Sequence, residues 1–156
     1  MTSTTSGQRS WRTALTRKKV ALPIRKHLID KLSDPTLRTL DYGCGKGYDA
    51  DRLGMFKYDP HFFPEAPEGK FNTVYCGYVL NVVPKDEGQV IVDDIQRLLS
   101  MRGQAFIVVR RDVKKDGLTS RGTFQRNVVL DGAYTTYKCS KYHVYSLSKG
   151  TSVEVK

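Results

Sequence analysis

The chain has 156 residues, 39% of them apolar, which is room for one globular domain around one core and leaves none for a second catalytic domain. No apolar run approaches the roughly 20 residues that span a bilayer, and the polar stretch 1–10 lacks the apolar segment of a signal peptide, so the expectation is a cytoplasmic protein with no membrane partner. The net charge of +10 is uneven: residues 1–31 hold eight Lys/Arg against one Asp, residues 32–101 seven against eleven acids, and residues 102–156 eleven against four, so basic ends flank an acidic middle.

That distribution favours a cationic small ligand in the middle and a polyanion such as DNA or RNA at the ends, held by a field that salt screens. Cys44, Cys76 and Cys139 are odd in number, widely spaced and free of any C-x-x-C, which indicates neither a disulfide framework nor a zinc site. No metal is expected.

In chain order, residues 1–10 are rich in Ser and Thr without apolar periodicity, the composition of a disordered tail. Residues 11–35 read as an arm followed by a helix. Arg12, Arg17, Lys18 and Lys19 surround the single Trp11, and Pro23 opens a helix over Ile24 to Leu32 whose Ile24, His27, Leu28 and Leu32 share one stripe. The four bases are either a solvated face or candidates for holding an anionic substrate. His27 reads as a packed helix residue.

Residues 36–112 read as the cofactor-binding core. Thr36 to Tyr42 is a short central strand that runs into Asp41-Tyr42-Gly43-Cys44-Gly45-Lys46-Gly47, and helix Tyr48 to Leu53 follows. Glycine lets the backbone turn sharply and lets a ligand approach bare peptide groups. A dinucleotide fingerprint wants G-x-G-x-x-G; here the third glycine comes one residue early and Tyr48 stands where Gly or Ala is required. With Asp41 just ahead of the first glycine, the loop suits S-adenosylmethionine (SAM), whose amino and sulfonium groups are cationic. Met55 to Asp59 is the second strand, and Asp59 sits where a strand-end carboxylate accepts ribose hydroxyls. Pro60, His61, Phe62 and Phe63 are candidates to wall an adenine ring, with His61 also a candidate base; the same segment reads equally as a hydrophobic cap on the sheet edge.

Phe71 to Val83 is a strand emptying into a loop at Cys76-Gly77-Tyr78, so Gly77, Tyr78 and Asn81 are expected at the crevice of the glycine loop. An amphipathic helix follows Pro84, with Val90, Ile91, Ile95, Leu98 and Leu99 expected inside and Gly103 as its stop; Gln104 to Val109 is a further covered strand. Residues 113–150 read as a basic loop and hairpin. Arg110 and Arg111 open that loop, and strands Phe124 to Leu130 and Ala133 to Leu147 are expected to turn at Asp131-Gly132. Tyr134, Tyr137, Tyr142 and Tyr145 with Lys138 and Lys141 either stack bases and hold phosphates or pack on the sheet. Residues 150–156 read as a frayed end.

Thr13-Ala-Leu-Thr-Arg, Leu22-Pro-Ile-Arg, Asp41-Tyr-Gly-Cys-Gly-Lys-Gly, Tyr58-Asp-Pro-His-Phe-Phe-Pro and Gly77-Tyr-Val-Leu-Asn-Val together resemble the DNA phosphorothioation-associated methyltransferase family of class I SAM-dependent methyltransferases, over residues 12–112. The resemblance implies an α/β, Rossmann-like class I fold of seven strands. It also implies SAM held by Asp41, Gly43, Gly45 and Asp59, with Gly77 and Tyr78 beside the adenine or the methyl path. Two departures are plain: the segment Tyr48 to Asp59 is short, and a basic hairpin replaces the family's long C-terminal part, so an abbreviated, mostly parallel sheet with an antiparallel hairpin is expected. The cofactor contacts expected overall are Asp41, Tyr42, Gly43, Cys44, Gly45, Gly47, Asp59, Pro60, Gly77 and Tyr78. Candidates for orienting the methyl acceptor are Tyr78, Asn81 and His61, and those for binding it are Arg12, Arg17, Lys18, Lys19, Arg110 and Arg111. Direct in-line transfer to a nucleic-acid acceptor is the first expectation; a small-molecule or protein acceptor, or a non-catalytic nucleic-acid-binding or regulatory module, are the alternatives.

Overall fold

The computed structural model describes Ala14 and residues 16–156. A six-stranded sheet runs in the order β2 (Phe56–Tyr58), β1 (Thr39–Tyr42), β3 (Phe71–Gly77), β4 (Leu99–Arg110), β9 (Tyr142–Ser148), β8 (Tyr134–Lys138). The first four strands are mutually parallel, and β9 and β8 close the far edge antiparallel. The central strands are apolar on both faces because both faces are covered, as a parallel sheet requires. Successive residues of β4 alternate accordingly: Ala105, Ile107 and Val109 pack against Val92, Ile95 and Leu98 of α3 (Lys85–Leu98), whereas Phe106 and Val108 meet Ile24, Leu28, Leu32 and Ala50 on the opposite side.

The resemblance implied seven strands, and the main sheet has six among the described residues. Residues 60–70, with Pro60, Pro64 and Pro67, cannot supply the backbone donors that a strand beyond β2 would need, and they make only an antiparallel bridge from Asp59 to Phe63. The expected helix over Ile24 to Leu32 opens as a π-helical stretch, Ile24–Leu28, and continues as α1 (Ile29–Leu32); Ile24, Leu28 and Leu32 are buried as its stripe demands. In α3, Val90 is exposed, against expectation, while Val92, Ile95 and Leu98 carry the buried face. Nor does Gly103 stop this helix. The chain leaves α3 directly into β4, and Gly103 sits in an irregularity of the β3–β4 register where a Cβ would lie about 3.0 Å from the Phe71 carbonyl.

The hairpin is also displaced. Its turn is at residues 139–141, between β8 and β9, whereas Asp131 ends β7 (Leu130–Asp131) in register with Glu154 of β10 (Glu154–Val155) and Gly132 turns the chain out of it. Residues expected to fray therefore form a strand: β10 pairs with β7, and Val153 and Val155 are buried in the core. The tyrosines divide between the two readings, with Tyr142 and Tyr145 buried and Tyr134 and Tyr137 exposed. A small ribbon, β5 (Gly117–Leu118) with β6 (Phe124–Gln125), completes the chain.

Candidate active site

Five strands end along one cavity of about 920 Å3. Across the sheet, its walls are Asp59, Pro60 and His61 after β2, Asp41 to Lys46 after β1, Gly77 and Tyr78 after β3, Arg110 and Asp112 after β4, and Lys141 and Tyr142 at β9. Neighbouring strands lie about 4.8 Å apart, so four steps make a trough on the order of 19 Å long. That is where a parallel α/β sheet collects ligands, outside the carboxyl ends of its strands.

The glycine loop joins β1 to α2 (Tyr48–Leu53). Gly43, Gly45 and Gly47 all take positive φ, which glycine adopts without strain, and two of them also have no room for a side chain: a Cβ on Gly43 would overlap Val79, and one on Gly47 would lie 2.7 Å from Lys57 Cδ. Four backbone donors of this loop, those of Gly43, Cys44, Gly45 and Gly47, are already used. The N–H groups of Gly43 and Cys44 both donate to the Tyr58 carbonyl, at 2.7 and 3.0 Å, Gly47 donates to Cys44, and Gly45 donates to Asp59 Oδ2 at 2.9 Å. A pyrophosphate would need those donors. What the loop offers a ligand is acceptors and carboxylates, the complement of a cation.

Asp41 is buried at the end of β1, where desolvation, followed by the Asp49 carboxylate, pushes its carboxyl well above the usual range; Arg17 opposes this and Asp59 adds to it. Asp49 is itself raised by burial while accepting the Ala21 N–H at 3.1 Å. Asp59 is held in place by three backbone donors, Gly45 on Oδ2 and His61 and Phe62 on Oδ1 at 2.9 and 3.1 Å. Burial and the neighbouring Asp41 and Asp59 lift the Cys44 thiol to about 12, so it stays protonated and is no nucleophile at neutral pH.

Tyr78 is the only non-glycine with positive φ among the described residues, at 61°, a conformation that costs on the order of 1 kcal/mol or more and is kept where surroundings impose it. Its N–H donates to the Val108 carbonyl at 2.8 Å, and burial lifts its hydroxyl to about 12. The ring thus stands fixed and neutral at the middle of the trough.

Of the residues expected at the site, Asp41, Tyr42, Gly43, Cys44, Gly45, Asp59, Pro60, His61, Gly77, Tyr78, Arg17 and Arg110 line the cavity. Gly47 lies behind the loop instead, as the residue entering α2, and Phe62 and Phe63 are likewise outside. Asn81 requires correction as an acceptor-orienting residue. It is fully buried away from the cavity, where its Oδ1 takes the Arg110 N–H at 2.7 Å and its Nδ2 donates to the Arg126 carbonyl at 2.9 Å, so its amide is engaged with backbone and does not reach a ligand in the cavity. Lys18, Lys19 and Arg111 are exposed and do not line the cavity, and Arg12 lies outside the described residues. Residues not singled out in the sequence as site residues include Asp49, Asp112, Gln125, Lys141 and Tyr142. Only Lys141 and Tyr142 had a signal, their place in the interleaved basic and aromatic strand.

This six-stranded arrangement with its glycine loop and strand-end carboxylate is the class I methyltransferase fold, in the α/β Rossmann-like class. Solved structures agree on the architecture. The chain superposes on the N-methyltransferase NodS from Bradyrhizobium japonicum WM9, in complex with S-adenosylhomocysteine (SAH), with TM-score 0.53 at 10% identity over 94% of this chain and all of that one. It also superposes on the 1,6-didemethyltoxoflavin-N1-methyltransferase from Burkholderia thailandensis, with bound 1,6-didemethyltoxoflavin and SAH, with TM-score 0.51 at 15% identity over 72% and 71% of the two chains. A single-residue variant of LepI, in complex with SAH and a substrate analogue, gives TM-score 0.54 at 12% identity over 86% of this chain and 50% of that one. No family model and no curated protein matches the chain, so the narrower resemblance to the phosphorothioation-associated family has no support beyond the sequence blocks themselves.

Proposed function

We propose that this chain is a SAM-dependent methyltransferase working by direct in-line transfer. The observation that supports this most is that Asp41 and Asp59 line one cavity on either side of a glycine loop in which four residues, Gly43, Cys44, Gly45 and Gly47, have spent their backbone donors. Asp41 suits the amino group of the cofactor, Asp59 its ribose hydroxyls, and Pro60, His61, Val79 and Ile91 the adenine. Bound there, the cofactor supplies an already activated methyl group. The protein's task is placement, which can contribute roughly 7 to 11 kcal/mol when two reactants are fixed in attack geometry. With the cofactor on the β2–β1 side, the β3–β4–β9 end holds the acceptor, and Tyr78 stands between the two.

A small planar acceptor fits this end best. The space is a walled cavity with Tyr78 and Tyr142 on its sides, and one of the solved neighbours named above holds 1,6-didemethyltoxoflavin together with SAH. A nucleic-acid acceptor is the second reading, supported by the basic ends of the chain and the exposed Tyr134, Tyr137 and Lys138 on β8. Titration calorimetry with SAH tests the cofactor site: the wild type binds and Asp59→Ala loses at least tenfold, whereas no binding by the wild type overturns the proposal. Labelled SAM offered with pooled DNA, RNA, lysate protein and small metabolites then reports which fraction takes the methyl.

A further inference from the structure

The acceptor end of the cavity has a neighbour that methyl transfer by placement alone does not use. Tyr142, the first residue of β9, pairs in register with Arg110 and lines the cavity. Its hydroxyl lies 2.9 Å from Nε2 of His27, on the helix packed beneath. The imidazole is stacked on the exposed-edge Tyr137 of β8, with ring centroids 3.9 Å apart and planes 27° from parallel, so its orientation is fixed from the other side too. His27 was expected only to pack. Its ring instead forms a hydrogen-bonded route from the cavity wall to the half-exposed surface of the helix.

We propose that Tyr142 and His27 form a proton relay for the methyl acceptor, which is then a planar molecule carrying an O–H or N–H that must be shed, a phenol or a ring N–H. The inference rests on the methyl-transfer reading. In the step, the acceptor's oxygen or nitrogen forms a bond to the methyl carbon as the carbon–sulfur bond breaks, its electron pair passing to sulfur. The acceptor proton goes to Tyr142 Oη while the tyrosyl proton passes to His27 Nε2, and the imidazolium returns it to solvent. Burial, and after it the charge of Lys26, lowers the pKa of His27, which leaves the ring neutral and able to accept at neutral pH. Among the described residues, the groups facing that ring are Lys26 on its own helix, Tyr137 from β8 and Tyr142 from β9, and none of these is a carboxylate that would hold it protonated.

The test uses 4-nitrophenol, whose anion absorbs in the visible, on SAH-saturated protein at pH 6. With the wild type, the bound probe is ionised at least tenfold more than the free probe. Tyr142→Phe, which keeps the ring and removes only the hydroxyl, returns the bound probe to its free ionisation, as does His27→Gln. A hydrogen bond that merely fastened the helix to the sheet would lower the melting temperature of these variants and leave the spectrum alone. SAH titrations on the same three proteins separate the two layers of argument. If SAH fails to bind the wild type, the methyl-transfer reading falls. If SAH binds and the probe stays neutral on the wild type, fails to bind it, or ionises equally on Tyr142→Phe, the relay is overturned. Should His27→Gln not fold, Tyr142→Phe decides alone.

Discussion

Asp41 shows how a single side chain serves two demands that conflict. A carboxyl buried at a strand end, near Asp49 and Asp59, is expensive to ionise, and its pKa is raised well above the ordinary value, first by burial. The folded chain therefore holds a proton there that the unfolded chain, with a pKa of about 3.9, has already released. The stability linked to this group is full below the unfolded value and is lost as pH rises through the raised one. A cationic ligand inverts the preference, because the ammonium group of SAH favours the ionised carboxylate and drives the proton off. Affinity for SAH should then rise with pH across the interval between the ordinary and the raised pKa, which calorimetry from pH 5 to pH 8 measures. Asp41→Asn should melt above the wild type, by a margin that widens toward pH 8. It should also bind SAH about 10- to 100-fold more weakly, as expected for the loss of a hydrogen bond to a charged group.

At the scale of elements, the part of the site built by local chemistry was legible and the part built by chain crossing was not. The strand, glycine loop and short helix from residue 39 to residue 53 are specified by residues adjacent in sequence: apolar run, glycines, then Tyr48 as the first helical residue. Asp59 follows because β2 is short and parallel to β1, which fixes its end beside the loop. The hairpin misled for a physical reason. Asp131-Gly132 is a true turn with positive φ at Gly132, but Ser152 and Val153 lie against it, a partner about 20 positions away that no local pattern announces. Asn81 misled similarly. A polar residue after a strand reads as a ligand contact, and only the fold shows that it bonds Arg110 and Arg126, from β4 and the segment after β6. Its amide fastens the loop that carries Gln125 to the sheet, and Arg126 N–H returns a 2.8 Å bond to the Asn81 carbonyl. Asn81→Ala should therefore lower unfolding free energy by about 2 to 4 kcal/mol through two orphaned buried backbone groups, read by urea denaturation. Below the transition it should keep SAH affinity within about threefold, because β1, β2 and their loop do not depend on it. A large affinity loss in a fully folded Asn81→Ala protein would return this residue to the site.

Over the whole molecule, three carboxyl groups concentrate toward one end of the trough, and many exposed bases lie outside it. The acidic residues Asp41, Asp49 and Asp59 gather at the β1 and β2 end with Arg17 and Lys46 near them, while Arg110, ion-paired with Asp112 at 2.8 Å, and Lys141 flank the cavity at the β4 and β9 end. Lys18, Lys19, Arg111, Lys114, Lys115 and Arg121 are exposed outside it. The outer bases draw anions without specifying what they are, and the two acceptor readings differ in how they use them. A nucleic acid would engage the outer bases together, releasing counterions, so that log affinity falls with log salt at a slope of about 0.7 to 0.9 per phosphate contact. A small anionic or neutral acceptor would engage at most Arg110 and Lys141, with a slope of about two or less. Reversing the outer charges separates them: Lys18→Glu, Lys19→Glu and Arg111→Glu combined should abolish binding to a single-stranded oligonucleotide, measured by fluorescence anisotropy at about 50 mM salt, the low end of the range where such contacts are strong. SAH affinity should stay unchanged, because none of the three lines the cavity. If the triple variant also keeps full methyl transfer to the acceptor pool, the outer bases serve recruitment or solubility and the chemistry belongs to a small molecule. If transfer disappears with oligonucleotide binding, the acceptor is the polymer, and the trough between Tyr78 and Tyr142 receives one of its bases.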